Sequence, residues 1–94
     1  MVSQSVVVRN PSGLHMRPAS VMVQIAGQCK SDITITCGDK KVNPKSILSL
    51  MSAAIPCGAE VTVFCDGENE KEDLKTIIEA IESGLGEYPG GPML

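Results

Sequence analysis

A chain of 94 residues is the size of one domain, with a core of modest depth and little room for an enclosed cleft, so its chemistry is expected on the surface, offered to a larger partner. A net charge of −3, one Tyr, one Phe and no Trp supply neither the basic face nor the stacking platforms that nucleic-acid binding needs. No apolar run is long enough to cross a membrane. The N-terminus MVSQSVVVRN lacks the basic and apolar regions of a secretory signal, so the chain reads as cytoplasmic.

SVVVRN is a short β-branched run ended by NPSG, a cluster of turn formers, and predicts a strand and then a loop. From Met16 to Gly27 the pattern turns helical, with Ala19, Met22, Val23 and Ala26 on one face. Pro18 is tolerated only in a first turn, so this helix begins next to His15. DITIT alternates as a half-buried strand, Gly38-Asp39 is placed as a two-residue hairpin turn, and KKV supplies the return strand. Ser46 is a good N-cap for a short helix from Ile47, which Pro56 and Gly58 must end. AEVTVFCDG predicts a strand with Val61, Val63 and Cys65 on one face and Thr62 and Phe64 on the other. NEKEDLKTIIEAIESGLGE predicts a helix with an Asn69/Glu72 capping box, a stripe of Leu74, Ile77, Ile78 and Ile81, and a stop at Gly84. The order β-α-β-β-α-β-α suggests an α+β fold with an antiparallel or mixed sheet and its helices gathered on one face.

Four cysteines, Cys29, Cys37, Cys57 and Cys65, are separated by eight, twenty and eight residues, with no CxxC pair and one histidine in the chain. They read as reduced, buried or half-buried small residues, and a thiol or metal site is the weaker alternative. The acidic run DGENEKED, residues 66 to 73, reads as solvated. There is no Ser/His/Asp set and no Walker loop, so a self-sufficient hydrolase or kinase is not expected. What remains is NPSGLHMRPAS, residues 10 to 20. The first amides of a helix lack intrahelical partners and attract anions, and the same field disfavours an imidazolium. A neutral imidazole at His15, with the forked donors of Arg17 nearby, makes a phosphohistidine site, competing with the ordinary reading of a solvated turn histidine.

GLHMRPAS resembles the active-site segment of HPr, the histidine-containing phosphocarrier family of the bacterial sugar phosphotransferase system, and KVNPKSILSLMSAAI resembles that family's second signature. GAEVTVFCDGENE and ESGLGE continue the match over roughly residues 5 to 87. The resemblance implies an open-faced β-sandwich, a four-stranded antiparallel sheet with three helices on one face. It implies a domain over 1–87, with 88–94 left as a loose tail.

By the same resemblance, His15 would accept a phosphoryl group through Nδ1 from enzyme I and pass it to enzyme IIA domains, steadied by Arg17. Ser46 would match the serine phosphorylated by an HPr kinase/phosphorylase. Met16, Ser20, Val21, Gln24, Ile47, Leu48 and Met51 would form the partner-binding face; independently of the resemblance, a helix over 47–53 is too short to bury Ile47, Leu48, Leu50 and Met51 together, so Leu50 is expected to face the core and the other three to be partly exposed. The chain would be a monomeric carrier, with no enzymatic turnover, cofactor, metal, nucleic-acid contact or membrane insertion of its own. The alternative function is a regulatory protein acting through phosphorylated Ser46 as corepressor of a catabolite-control transcription factor. Met16 stands where the family usually has alanine, Pro44 where proline is uncommon, and Ser49 and Ala54 where glycine is frequent, which puts partner preference in question.

Overall fold

The computed structural model describes residues 1–9, 13–14 and 16–85. The elements run β1 (Val2–Val7), α1 (Met16–Gly27), β2 (Asp32–Cys37), β3 (Lys40–Val42), α2 (Ile47–Ala53), β4 (Glu60–Asp66) and α3 (Glu70–Glu82). This is the expected α+β order, and most bounds follow the sequence pattern closely; β1 ends at Val7, ahead of the NPSG turn, and α2 at Ala53, ahead of Pro56 and Gly58. The first strand begins earlier than its β-branched run. Val2 pairs with Cys65 and Val7 with Glu60, so a polar stretch, Ser3 to Ser5, is drawn into the sheet by its partner strand.

The four strands form one antiparallel sheet in the order β1-β4-β2-β3. Strand β4 pairs with β1 on one side and β2 on the other. Cys37 opposite Lys40 leaves Gly38-Asp39 as the two-residue hairpin loop, and the positive φ of Gly38, +62°, is what such a turn demands. Alternation then divides the sheet. Ile33, Ile35, Val61, Val63 and Cys65 are buried under the helices. Thr34, Thr36, Thr62 and Phe64 are half-buried on the other face, where the hydroxyls of Ser5 and Thr62 bond at 3.0 Å. All three helices cover the inner face: α3 lies over β1 and β4, α2 against β3, and α1 against both helices. Their contributions to the core are Ala19, Met22 and Ala26 from α1, Leu50 from α2, and Ile77, Ile78 and Ile81 from α3. Each large side chain so buried is worth about 1.5–3 kcal/mol of transfer free energy.

Two expectations for α3 are corrected. Asn69 caps the helix by position but makes no side-chain capping bond, and its Nδ2 donates instead to Asp73 Oδ1 at 3.1 Å. The reciprocal bond comes from Glu70, not Glu72. Glu70 Oε1 accepts the Gly67 amide at 3.2 Å and pairs with the N-terminal ammonium at 3.3 Å, and these contacts hold its carboxyl below the usual range. The acidic run is not uniformly solvated either. Asp73 is buried and accepts the amides of Lys30 and Ser31 at 3.1 and 2.9 Å. Leu74, placed on the apolar stripe, is half-buried, because the helix is rotated enough to bring Asp73 inward.

Candidate phosphotransfer site

The site is built from a clamp between two loops. Val8, just beyond β1, donates its amide to Ala59 at 2.9 Å and accepts that of Gly58 at 2.8 Å. The chain returns at Gly13 and Leu14, where the Leu14 amide donates to the Ile55 carbonyl at 2.9 Å. Gly13 has φ +68°, and a Cβ there would stand 2.4 Å from the Ile55 oxygen and 2.9 Å from Pro56 Cα. Only glycine permits this backbone path at this spacing. Leu14 is buried and Met16 is 64% exposed. Residues 10–12 and His15 lie outside the described residues.

Helix α1 starts at Met16, as the sequence predicts, with Pro18 and Ala19 buried beneath its first turn. No acidic side chain stands in that turn, and Arg17 is exposed there. The positive end of the α1 dipole and the exposed Arg17 therefore lie together where α1 begins. Ser20, expected on the partner face, is half-buried, and its hydroxyl donates back to the Met16 carbonyl at 2.8 Å. Val21 is half-buried against the core, and Gln24 is exposed.

Helix α2 divides as the short length requires. Leu50 is fully buried, while Leu48 is 74%, Ile47 41% and Met51 38% exposed. Met16, at the start of α1, is exposed as well, and α1 packs against α2. Ser46 is the N-cap: its Oγ accepts the Ser49 amide at 3.2 Å, with Ser46 itself extended at φ −120°. Beside it, Lys45 Nζ donates to the carbonyl of Ser31 at 3.0 Å and that of Cys29 at 3.4 Å. At the other end Ala54 takes a left-handed conformation, φ 49° and ψ 49°, and this reversal ends α2 before Pro56 is reached.

The four cysteines are free. Burial pushes the Cys65 thiol up to about 11, with the charge of Asp73 adding to it, and the same two causes raise Cys29. Cys57 departs from the expected burial: it is exposed, with Sγ 3.8 Å from the Arg9 carbonyl. No group of three or more His, Cys, Asp or Glu side chains among the described residues is arranged to hold a metal ion, and no described helix is long and apolar enough to cross a membrane. In the sequence the Gly13–Ile55 clamp leaves a single trace, a glycine following Pro-Ser.

The chain is thus a small open-faced sheet covered on one side by three helices, with Arg17 exposed at the start of α1 and apolar side chains exposed along α2. The family model described as "PTS HPr component phosphorylation site" matches residues 2–83, and the chain belongs to the HPr family. It is 44% identical over 82 residues to the HPr-like protein Crh of Bacillus subtilis, covering 87% of this chain and 96% of that protein. A crystal structure of an HPr from Thermoanaerobacter tengcongensis superposes with a TM-score of 0.87 at 38% identity, over 93% of this chain and 98% of that one. A crystal structure of B. subtilis Crh as a domain-swapped dimer superposes at 0.71 with 43% identity, over 89% and 97% of the two chains.

Proposed function

We propose that this chain is a cytoplasmic phosphoryl carrier of the sugar phosphotransferase system, with residues 1–87 as the carrier domain. His15 accepts the phosphoryl group through Nδ1 from phosphorylated enzyme I and gives it to enzyme IIA domains. Arg17, exposed in the first turn of α1, neutralises charge on the phosphoryl oxygens during both transfers. The observation that carries the reading is the clamp of Gly13 and Leu14 onto Ile55 and Pro56. It holds the start of α1 beside the exposed Ile47, Leu48 and Met51 of α2, so a partner docking there meets the phosphorylation segment. The chain turns over no small molecule and needs no cofactor of its own; enzyme I brings the phosphoenolpyruvate and magnesium chemistry.

Phosphorylation of Ser46 by an HPr kinase/phosphorylase is the regulatory half of the reading. A phosphate there sits at the start of α2, compatible with the helix, and adds about two negative charges beside the docking face. Enzyme I would then bind less well. Similarity to Crh favours a second function, in which phosphorylated Ser46 makes the chain a corepressor for a catabolite-control transcription factor.

The deciding experiment is intact-mass analysis after incubation with phosphoenolpyruvate, magnesium and enzyme I, with His15→Ala alongside. One acid-labile phosphoryl group, absent from the variant, supports the carrier. No gain with an enzyme I from the same organism, but an acid-stable gain with HPr kinase and ATP, supports the regulator. The active form is a single chain in this reading; light scattering distinguishes it from a dimer such as the one Crh forms.

A further inference from the structure

The methionines of the helices divide sharply by burial. Met22 is wholly enclosed in the core, whereas Met16 and Met51 are exposed. The exposed pair borders one feature. Met16 lies two residues beyond Leu14, and Met51 four residues before Ile55, the two ends of the backbone bond that clamps the loop. Chain geometry puts both Cα atoms within roughly 10 Å of that bond. The other exposed apolar side chains of the face, Ile47 and Leu48, are hydrocarbons, and so are its buried anchors Leu14 and Leu50. The face therefore has two oxidisable side chains on a foundation that peroxide leaves intact.

We propose that Met16 and Met51 are a redox switch on the docking face, set by oxidation to the sulfoxides. This rests on the reading of that face as the enzyme I contact. In the step, a peroxide transfers one oxygen to the thioether sulfur. The O–O bond breaks, an S–O bond forms, the sulfur loses two electrons, and the peroxide leaves as water. A dithiol-dependent reductase reverses it, removing the oxygen as water and leaving a disulfide on the reductase. The sulfoxide turns an adaptable apolar chain into a polar one that must be desolvated on docking, so the oxidised face binds less well.

The test treats the full chain with limiting hydrogen peroxide and then with dithiothreitol, which returns sulfenic acids and disulfides to thiols, while peptide mass analysis checks that Cys57 carries no sulfinic or sulfonic acid. Peptide mass analysis should find added oxygen on Met16 and Met51 before Met22, and the rate of phosphoryl acceptance from enzyme I should fall about tenfold. A Met16→Leu/Met51→Leu variant, scored against its own untreated rate, should lose nothing. Equal rates before and after oxidation of wild type, or the same loss in the double variant, overturns the switch. If the untreated chain accepts no phosphoryl group, the carrier reading falls separately. Calorimetric binding of enzyme I before and after peroxide then decides the switch, and equal or absent binding overturns it.

Discussion

The carboxylate of Asp73 accepts the backbone amide of Ser31 at 2.9 Å across 42 residues of sequence, tying the entrance of α3 to the loop between α1 and β2. The Lys30 amide and Asn69 complete its shell, and Lys45 holds the same loop from the other side through the Ser31 carbonyl. Burial pushes the Asp73 carboxyl up, but the hydrogen bonds it accepts outweigh that and hold it below the usual aspartate value. Asp73→Ala leaves two loop amides without their acceptor and should cost about 2–3 kcal/mol in urea denaturation.

The same carboxylate sets an acid limit. Its folded-state pKa lies below the unfolded one, so its stabilisation is complete above the unfolded value of about 3.9 and is lost as pH falls through the lower folded value. Denaturation midpoints followed from pH 6 down to pH 2 should drop in that acid range, by less in Asp73→Asn than in wild type. Equal acid sensitivity in the two proteins would remove Asp73 as the cause.

Ala54 holds a left-handed conformation that glycine adopts without steric cost. Ala54→Gly should therefore stabilise the protein by about 1 kcal/mol, raising Tm by roughly 4–8 °C in calorimetry. The residue is exposed, so no packing is lost with its methyl group.

Gly13→Ala should act in the opposite direction. Its Cβ would meet the Ile55 oxygen at 2.4 Å, in a backbone conformation that alanine disfavours. We expect a loss of about 2 kcal/mol or more, together with phosphoryl acceptance reduced tenfold or more, because the start of α1 would be displaced. Thermal melts and the initial rate with enzyme I measure the two effects separately.

Along α2, neighbouring residues should separate stability from docking. Leu48→Glu changes an exposed side chain and should leave stability within about 0.5 kcal/mol while weakening enzyme I binding about tenfold. Leu50→Ala empties a fully buried site and should cost about 2–5 kcal/mol. Calorimetric binding and urea denaturation on both variants check the contrast.

Thiol titration at pH 8 should find Cys57 reacting first and Cys37 more slowly, with Cys29 and Cys65 protected until the protein unfolds. Unfolding without reductant should release all four thiols. Fewer than four would revive a disulfide or metal role for them.

Local patterns determined most of the fold by themselves. The bounds of α1, the Gly38-Asp39 hairpin, the Ser46 cap and the inward face of β4 all rest on periodicity, turn chemistry and capping, which act over a few residues. So does the division of α2 into a buried Leu50 and an exposed Ile47, Leu48 and Met51, since a seven-residue helix can cover only one side of itself. The two signatures around His15 and Ser46 are enough by themselves to point to the HPr family. Tertiary structure alone decided what depends on distant partners. Asp73 looked solvated because the amides that bury it are more than forty residues away. Gly13 looked like an ordinary loop glycine until Ile55 was placed against it. The early start of β1 has the same physical reason: a polar strand acquires its structure from the neighbour it pairs with, and pairing across a sheet leaves no periodic trace in the strand that receives it.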